Sequence, residues 1–250
     1  MSHTFTQMAS TQMKIDFQNK RVLVTGGTRG IGRQITEDML KLGADVTITG
    51  RSPKVDFAGV EYMQVDFLDD NDTNRFIQEI SNRTYDVCVN NAGINKIDSF
   101  CDVEREDWDN IMKVNLTAPF LVQQAVAANM IEQRYGKIVN ISSIWGSISI
   151  AKRACYSTSK FGLRGLTLAS AAELAQFNVL VNTVSPGFTL TDLTRQVLGP
   201  EKMQEISQNI PMGRMAEPEE ISKAVLFVAS ELNSYISGQN IIVDGGFVNV

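Results

Sequence analysis

Short apolar runs that alternate with stretches of helical spacing constrain this chain more than any other feature. RVLVTG at 21–26, DVTITG at 45–50, VEYMQVDF at 60–67, YDVCVNNAG at 85–93, GKIVNISS at 136–143, NVLVNTVSPG at 178–187 and NIIVDGG at 240–246 read as seven strands. Helical stretches separate them at 31–42, 72–80, 108–134, 156–175 and 218–229. In the first of these, Ile31, Ile35, Met39 and Leu42 share a face and Gly43 stops the helix. The last opens on Pro218 and two acids, as helix starts prefer. Apolar strands that alternate with helices predict an α/β fold with a parallel sheet covered on both faces. Right-handed crossovers then give a doubly wound, seven-stranded parallel sheet. Ligands of such sheets bind at the carboxyl ends of the strands, and each motif below follows a strand.

A chain of 250 residues suits one such domain. Residues 1–15 read as a flexible N-terminal tail and residues 16–250 as a single dinucleotide-binding and catalytic domain. The tail has no apolar core of a secretory signal. No run approaches the ~18 apolar residues of a membrane span, so no membrane partner is expected and a cytoplasmic location is. A net charge of −5 lacks the basic footprint of a nucleic-acid binder. Cys88, Cys101 and Cys155 have no CxxC spacing and read as free thiols. The single histidine, His3, lies in the tail, so a histidine base or histidine-rich metal site is excluded and no metal is expected.

TGGTRGIG at residues 25–32 sits between the first strand and the first helix. Gly26, Gly30 and Gly32 permit a tight turn and the close approach of a pyrophosphate, and the free N–H groups of the following helix attract phosphate. The cluster reads either as a dinucleotide site of a Rossmann fold, though not in the GxGxxG spacing, or as a plain strand–helix turn. An acid at the end of the second strand would bind the adenosine ribose hydroxyls and repel a 2′-phosphate. Here Gly50 is followed by Arg51 and Ser52, and Arg29 lies in the glycine turn. Two guanidinium groups suit a 2′-phosphate, so NADP(H) is preferred and NAD(H) is possible. Asp66, after the third strand, either accepts from the adenine amino group or caps the next helix.

YSTSK at residues 156–160 places Lys160 one helical turn from Tyr156. A free phenol has a pKa near 10, and a neighbouring ammonium favours the phenolate. Ser143, at the end of the fifth strand, is placed to bond a substrate carbonyl oxygen. Asn115 lies mid-helix, where asparagine is mildly unfavourable; it is either a satisfied core residue or a bridge from Lys160 through water to solvent.

The TGxxxGxG turn, NNAG at 90–93, Asn115, Ser143, Tyr156 with Lys160, and PGFTLT at 186–191 occur in one order. In that ordered set the chain resembles the short-chain dehydrogenase/reductase family over about residues 16–248. The resemblance implies a catalytic tetrad of Asn115, Ser143, Tyr156 and Lys160, with Lys160 also bonding the nicotinamide ribose. Implied cofactor contacts are Gly26, Thr28, Arg29, Gly30, Ile31 and Gly32 in the turn, with Arg51, Ser52, Asp66 and Phe67 beyond the next two strands. Asn91, Ala92 and Gly93 line the adenosine half. Pro186, Gly187, Thr189 and Thr191 approach the nicotinamide amide and phosphates. A ketone is reduced to a secondary alcohol, or the reverse, with Tyr156 as proton donor. The partner is a small-molecule carbonyl or alcohol, and the assembly a homotetramer joined through the helices at 108–134 and 156–175 and the last strand.

The C-terminal third looks like that of the 3-oxoacyl carrier-protein reductases. Those enzymes usually carry a basic residue just before the penultimate strand, where this chain has Phe177; Arg134 remains. A sugar, polyol or other secondary-alcohol dehydrogenase is the alternative, and a non-catalytic dinucleotide sensor would be expected to lose the tetrad. Trp145, Lys152 and Arg153 surround Tyr156 in sequence, and the two basic residues either contact an anionic substrate or stay solvated. The segment 191–210 reads as a cover over the substrate, with Leu193, Val197, Leu198 and Met203 as its apolar residues.

Overall fold

The apolar runs form β1 (Arg21–Val24), β2 (Asp45–Gly50), β3 (Val60–Gln64), β4 (Val87–Asn90), β5 (Gly136–Ile141), β6 (Val179–Pro186) and β7 (Asn240–Val243) in a computed structural model that describes residues 14–250. All pair in parallel, in the order β3-β2-β1-β4-β5-β6-β7. The tail expected at residues 1–15, with His3, lies outside the described residues except for Lys14 and Ile15. Ile15 packs against the core beside Phe17.

The helices are α1 (Gly30–Lys41), α2 (Asp70–Ser81), α3 (Arg105–Met112), α4 (Ala118–Gln133), α5 (Ala154–Leu174), α6 (Asp192–Val197), α7 (Pro200–Gln208) and α8 (Pro218–Ala229). Strand side chains alternate between two cores, as a pleated strand requires. Val22 and Val24 of β1, Val87 and Val89 of β4, and Val139 and Ile141 of β5 pack on α1 and α8 through Ile35, Met39, Ile221 and Val225. Leu23, Cys88 and Ile138 face the other way, onto Phe76 and Ile80 of α2, Val122, Val126 and Met130 of α4, and Ala171 of α5. Burial of each such Val, Ile or Leu side chain is worth about 1.5–3 kcal/mol. Among the described residues no helix is long and apolar enough to cross a membrane.

Some helix boundaries have local causes. Helix α8 begins at Pro218, where the Glu217 and Glu220 side chains form a capping box. Helix α2 is capped by Asp69, whose Oδ1 accepts from the N–H groups of Asn71 (2.8 Å) and Asp72 (3.0 Å). Asp66 is therefore not the cap; its Oδ1 accepts from Leu68 N–H at 3.0 Å in a tight turn before the helix.

The stretch expected as one helix at 108–134 is in three parts. Between α3 and α4, Lys113–Thr117 forms a π turn, with the Ala118 N–H donating to the Lys113 carbonyl. Pro119 supplies the reason: it has no N–H to give the Asn115 carbonyl four residues back, and its ring crowds that carbonyl. Asn115 thus sits in the widened turn, not in a regular helix.

Strand order runs outward from β1 in both directions, so the crossovers diverge between β1 and β4. The crevice at the carboxyl ends of these two strands receives Gly26 from one side and Asn91 from the other.

Candidate active site

The glycine turn is built before any ligand is considered. Gly26 and Gly30 have φ of +66° and +55°, a region that strains other residues. A Cβ on Gly32 would lie 2.4 Å from the Gly26 carbonyl oxygen and 2.3 Å from Asn91 Nδ2. Asn91 Nδ2 donates to the carbonyls of Thr25 and Gly26, both at 3.0 Å. Thr25 Oγ1 accepts from the N–H groups of Asn91 (3.0 Å) and Ala92 (3.1 Å). The Asn91 amide nitrogen thus locks the turn, and its Oδ1 is the part left to face the adenosine half. No side chain caps α1, so its first N–H groups point outward unpaired by side chains, as a phosphate site requires. Ile31 packs partly against the core behind them.

At the end of β2 a Cβ on Gly50 would lie 2.7 Å from Thr28 Cγ2, so the glycine turn and the β2 tip touch. Arg29, Arg51 and Ser52 are all exposed there. The Arg51 carbonyl accepts from Gln64 Nε2 at 3.0 Å and the Ser52 carbonyl from the Tyr62 hydroxyl, which ties this loop to β3. Among the described residues neither arginine has an acidic partner. Asp66 is partly exposed at the same edge, whereas the Phe67 ring is buried, edge-on to Phe76 at 5.8 Å. Phe67 offers only its backbone to the crevice. Glycine cradle, open helix end and two uncompensated cations together fit a phosphorylated dinucleotide.

At the end of β5, Ser143 accepts from the Trp145 N–H at 3.2 Å and faces the Tyr156 phenol. Lys160 Nζ donates to the Ile141 carbonyl at 2.9 Å and lies 5.6 Å from the centroid of the Tyr156 ring. Gly93 faces both partners: a Cβ there would lie 3.4 Å from Asn115 Oδ1 and 3.7 Å from Lys160 Nζ. Asn115 is fully buried; its Oδ1 accepts from Ile94 N–H at 2.8 Å and its Nδ2 donates to the Ile94 carbonyl at 2.9 Å and to Ser159 Oγ at 3.1 Å. The four residues converge, with the asparagine amide bound to protein groups.

The electrostatics differ from the sequence expectation. Burial holds the Tyr156 phenol above its ordinary value of 10.0, against downward pulls from the Ser143 hydroxyl and the Arg153 guanidinium. Arg153 adds a cation that the sequence expectation did not assign to the phenol, while the Lys160 ammonium lies 5.6 Å from the ring centroid and is bonded to Ile141. Burial pushes Lys160 itself from 10.5 down to about 8. Between those two values the unfolded chain keeps a proton that the folded chain has lost, so stability rises with pH across that window. Replacing Lys160 by Met is expected to stabilise the cofactor-free protein at pH 7 by about 2 kcal/mol, after subtracting the lost bond to Ile141. Urea unfolding at pH 7 and 10.5 measures it; the gain disappears at the higher pH, and a loss at pH 7 contradicts the burial argument.

Sequence reading missed the polar network that fixes α5 on the sheet. Asn90 Nδ2 donates to Asn140 Oδ1 (2.9 Å), Asn140 Nδ2 to Thr167 Oγ1 (2.8 Å), and Thr183 Oγ1 to Thr167 Oγ1 (2.8 Å). All four residues are buried. Their signal was available: polar residues inside otherwise apolar strands need inward partners.

On the substrate side, Trp145, Phe188 and Phe247 pack edge to face with centroids 5.2–6.3 Å apart. The Arg153 guanidinium lies over the Trp145 ring, 5.8 Å from its centroid. Lys152 is exposed on a left-handed residue, φ +67°. Gly187 N–H donates to the Val243 carbonyl (2.9 Å), following the buried Pro186. Thr189 bridges to Ala216, and Thr191 caps α6 and sits 3.4 Å from where a Gly30 Cβ would be. The segment expected to cover the substrate forms α6 and α7, and Thr191 at its start meets the glycine turn; the side chains of Leu193 and Val197 lie outside the described residues. Phe177 packs against the core, and Arg134 Nη2 donates to the Gln176 carbonyl at 3.1 Å.

A family profile described as enoyl-(acyl carrier protein) reductase matches residues 26–248. The chain is 44% identical over 247 residues to a 3-oxoacyl-[acyl-carrier-protein] reductase of Aquifex aeolicus, covering 94% of this chain and 99% of that one. Among solved structures it resembles a short-chain dehydrogenase/reductase family protein, with 33% identity, a TM-score of 0.86, and 93% of this chain and 99% of the other covered. It also resembles a gluconate 5-dehydrogenase from Burkholderia cenocepacia in complex with NADP and tartrate, at 29% identity and a TM-score of 0.86, over 94% of this chain and 98% of that one. The family match spans the glycine turn from Gly26 onward and the Ser143–Tyr156–Lys160 cluster, and the chain is an oxidoreductase belonging to the short-chain dehydrogenase/reductase family.

Proposed function

We propose that this protein reduces a ketone to a secondary alcohol with NADPH, in the manner of a 3-oxoacyl reductase, with Tyr156 delivering the proton. The observation that carries this reading is the meeting of Ser143, Tyr156 and Lys160 at the carboxyl edge of the sheet, beside a phosphate cradle flanked by unpaired Arg29 and Arg51. Gly26, Thr28, Gly30, Ile31 and Gly32 would hold the pyrophosphate, Arg29, Arg51 and Ser52 the 2′-phosphate. Asp66 and the backbone of Phe67 would meet the adenine, and Ala92 and Gly93 the adenosine half. Pro186, Gly187, Thr189 and Thr191 would hold the nicotinamide side.

When bound, NADPH supplies a hydride for the carbonyl carbon. The Ser143 hydroxyl donates to the carbonyl oxygen and steadies the charge that develops as the C–O double bond opens. Tyr156 gives that oxygen its phenolic proton. A phenol held above 10 by burial stays protonated at neutral pH, which favours reduction. Lys160 bonds the nicotinamide ribose, and Asn115 fixes the strand-end loop at Ile94 through which the site reaches solvent.

Arg51→Ala is expected to lower kcat/KM for NADPH about tenfold to a hundredfold and to change that for NADH less than about twofold, since one charge-assisted phosphate bond is lost. Steady-state assays with both cofactors measure it. Equal losses make Arg51 a bystander, and a tenfold better efficiency of the unaltered enzyme with NADH overturns the cofactor assignment.

A second reading, oxidation of a sugar or polyol, is supported by the likeness to the gluconate 5-dehydrogenase. A panel of 3-oxoacyl thioesters, ketosugars and small ketones separates the two. Phe177, partly buried against the core, stands where the 3-oxoacyl carrier-protein reductases usually carry a basic residue, which weighs against docking of an acidic carrier protein. Exposed Phe120, Phe161 and Leu168 on α4 and α5 support the expected homotetramer.

A further inference from the structure

We propose that Arg153 binds a carboxylate on the substrate, so that the preferred ketone is an oxo acid and the product a hydroxy acid. This rests on the proposed ketone reduction and names its substrate class.

The argument starts from charge. Arg153 is half-buried at the start of α5, three residues before Tyr156, and its guanidinium is near enough to the phenol for each to bias the other. A half-buried cation ordinarily has a counter-ion, because desolvation is costly. Arg153 has none among the described residues: no ion pair or side-chain hydrogen bond reaches it, and burial pulls its pKa below the ordinary value. Other cations near the site are satisfied. Lys96 is paired with Asp107 and Asp98, and Arg195 of α6 with Glu217 at 3.1 Å. Lys152 is exposed on its left-handed residue and keeps its hydration.

Geometry indicates the ligand's shape. Trp145, which lies two residues from Ser143, covers one face of the guanidinium and is itself wedged against Phe188 and Phe247. The ring occupies one side of the guanidinium at 5.8 Å and offers it no oxygen, so its N–H fork is left to match the two oxygens of a planar carboxylate. The Trp145 backbone bonds Ser143, so the anion and carbonyl subsites are held on the same short segment. A ketone whose carbonyl meets Ser143 and Tyr156 then carries its carboxylate toward Arg153.

Kinetics on a short 3-oxo acid, its methyl ester and a phosphorylated ketone test this, with the wild type and Arg153→Met. The unaltered enzyme is expected to favour the acid over the ester at least about tenfold in kcat/KM. Arg153→Met should lose at least about tenfold more on the acid than on the ester, the ester loss measuring what the guanidinium does to the Tyr156 phenol alone. Equal losses on both would leave Arg153 without a carboxylate to bind, and a wild-type preference for ester or phosphate overturns the assignment while leaving ketone reduction standing. A readout free of turnover is calorimetric binding of malonate to the NADP-loaded protein. Affinity at least about tenfold weaker in Arg153→Met supports the proposal even if no ketone in the panel is reduced; equal affinity in both proteins refutes it.

Discussion

Tyr156→Phe is expected to lower kcat for ketone reduction by about a thousandfold, and to leave the fold and NADPH affinity within about twofold of wild type. The substitution removes one hydroxyl and keeps the ring that lies 5.6 Å from Lys160 Nζ. Ser143 remains to orient the carbonyl, but its hydroxyl is a much weaker acid than a phenol, and Lys160 and Asn115 direct their hydrogen bonds to the Ile141 carbonyl and to Ile94, not to the Ser143 and Tyr156 hydroxyls. Single-turnover absorbance at saturating NADPH separates the chemical step from binding. Retention of more than a tenth of the rate would remove Tyr156 from its assigned role. The pH profile adds a second arm. Because burial raises the phenol above 10.0, its own titration should not limit reduction between pH 6 and 9, and a fall in that range reports loss of the Lys160 proton, whose pKa burial pushes down to about 8. Oxidation of the alcohol, which needs the phenolate, should climb across the same range by up to about tenfold per unit.

Gly32→Ala is expected to destabilise the protein by about 2 kcal/mol or more and to weaken NADPH binding beyond about tenfold. The added Cβ would fall 2.4 Å from the Gly26 carbonyl oxygen and 2.3 Å from Asn91 Nδ2. Neither neighbour can yield cheaply: Gly26 is in a left-handed turn, and Asn91 is bonded to both Thr25 and Gly26 at 3.0 Å. Thermal unfolding and fluorescence titration with NADPH measure the two effects. Gly199→Ala is the control, because nothing lies within 4 Å of a Cβ at that position. A Gly32→Ala protein as stable as the control would show that the turn is softer than its hydrogen bonds imply.

The sheet was legible in the sequence because a parallel strand buried on both faces has to be apolar along its length, and Val22, Leu23 and Val24 are each fully buried. Helix α8 was legible to both ends, since Pro218 and the acids beside it mark its start unambiguously. Helix α2 was less so. Asp66, Asp69, Asp70 and Asp72 are all chemically able to cap, and only the chain path selects Asp69. The π turn at Asn115 had a readable cause in Pro119, but periodicity alone treats residues 108–134 as one helix. The glycine turn and the Ser143, Tyr156 and Lys160 positions follow from spacing along the chain. The locking role of Asn91 does not, because it depends on β4 lying beside β1. For the same reason spacing could not separate Lys152 from Arg153: the two are adjacent, and only the fold leaves one exposed and lays the other over Trp145.

The amide of Asn91 closes the phosphate-binding turn from the neighbouring strand, whether or not a nucleotide is there. Little conformational entropy is then lost when one docks, because the concave edge is already rigid. On the proposed reading such a scaffold does not choose between dinucleotides, and discrimination would fall to the solvent-facing tip of β2 at Arg51. A lineage built on this edge can therefore exchange one redox currency for the other by altering two or three surface side chains, without disturbing the architecture beneath them.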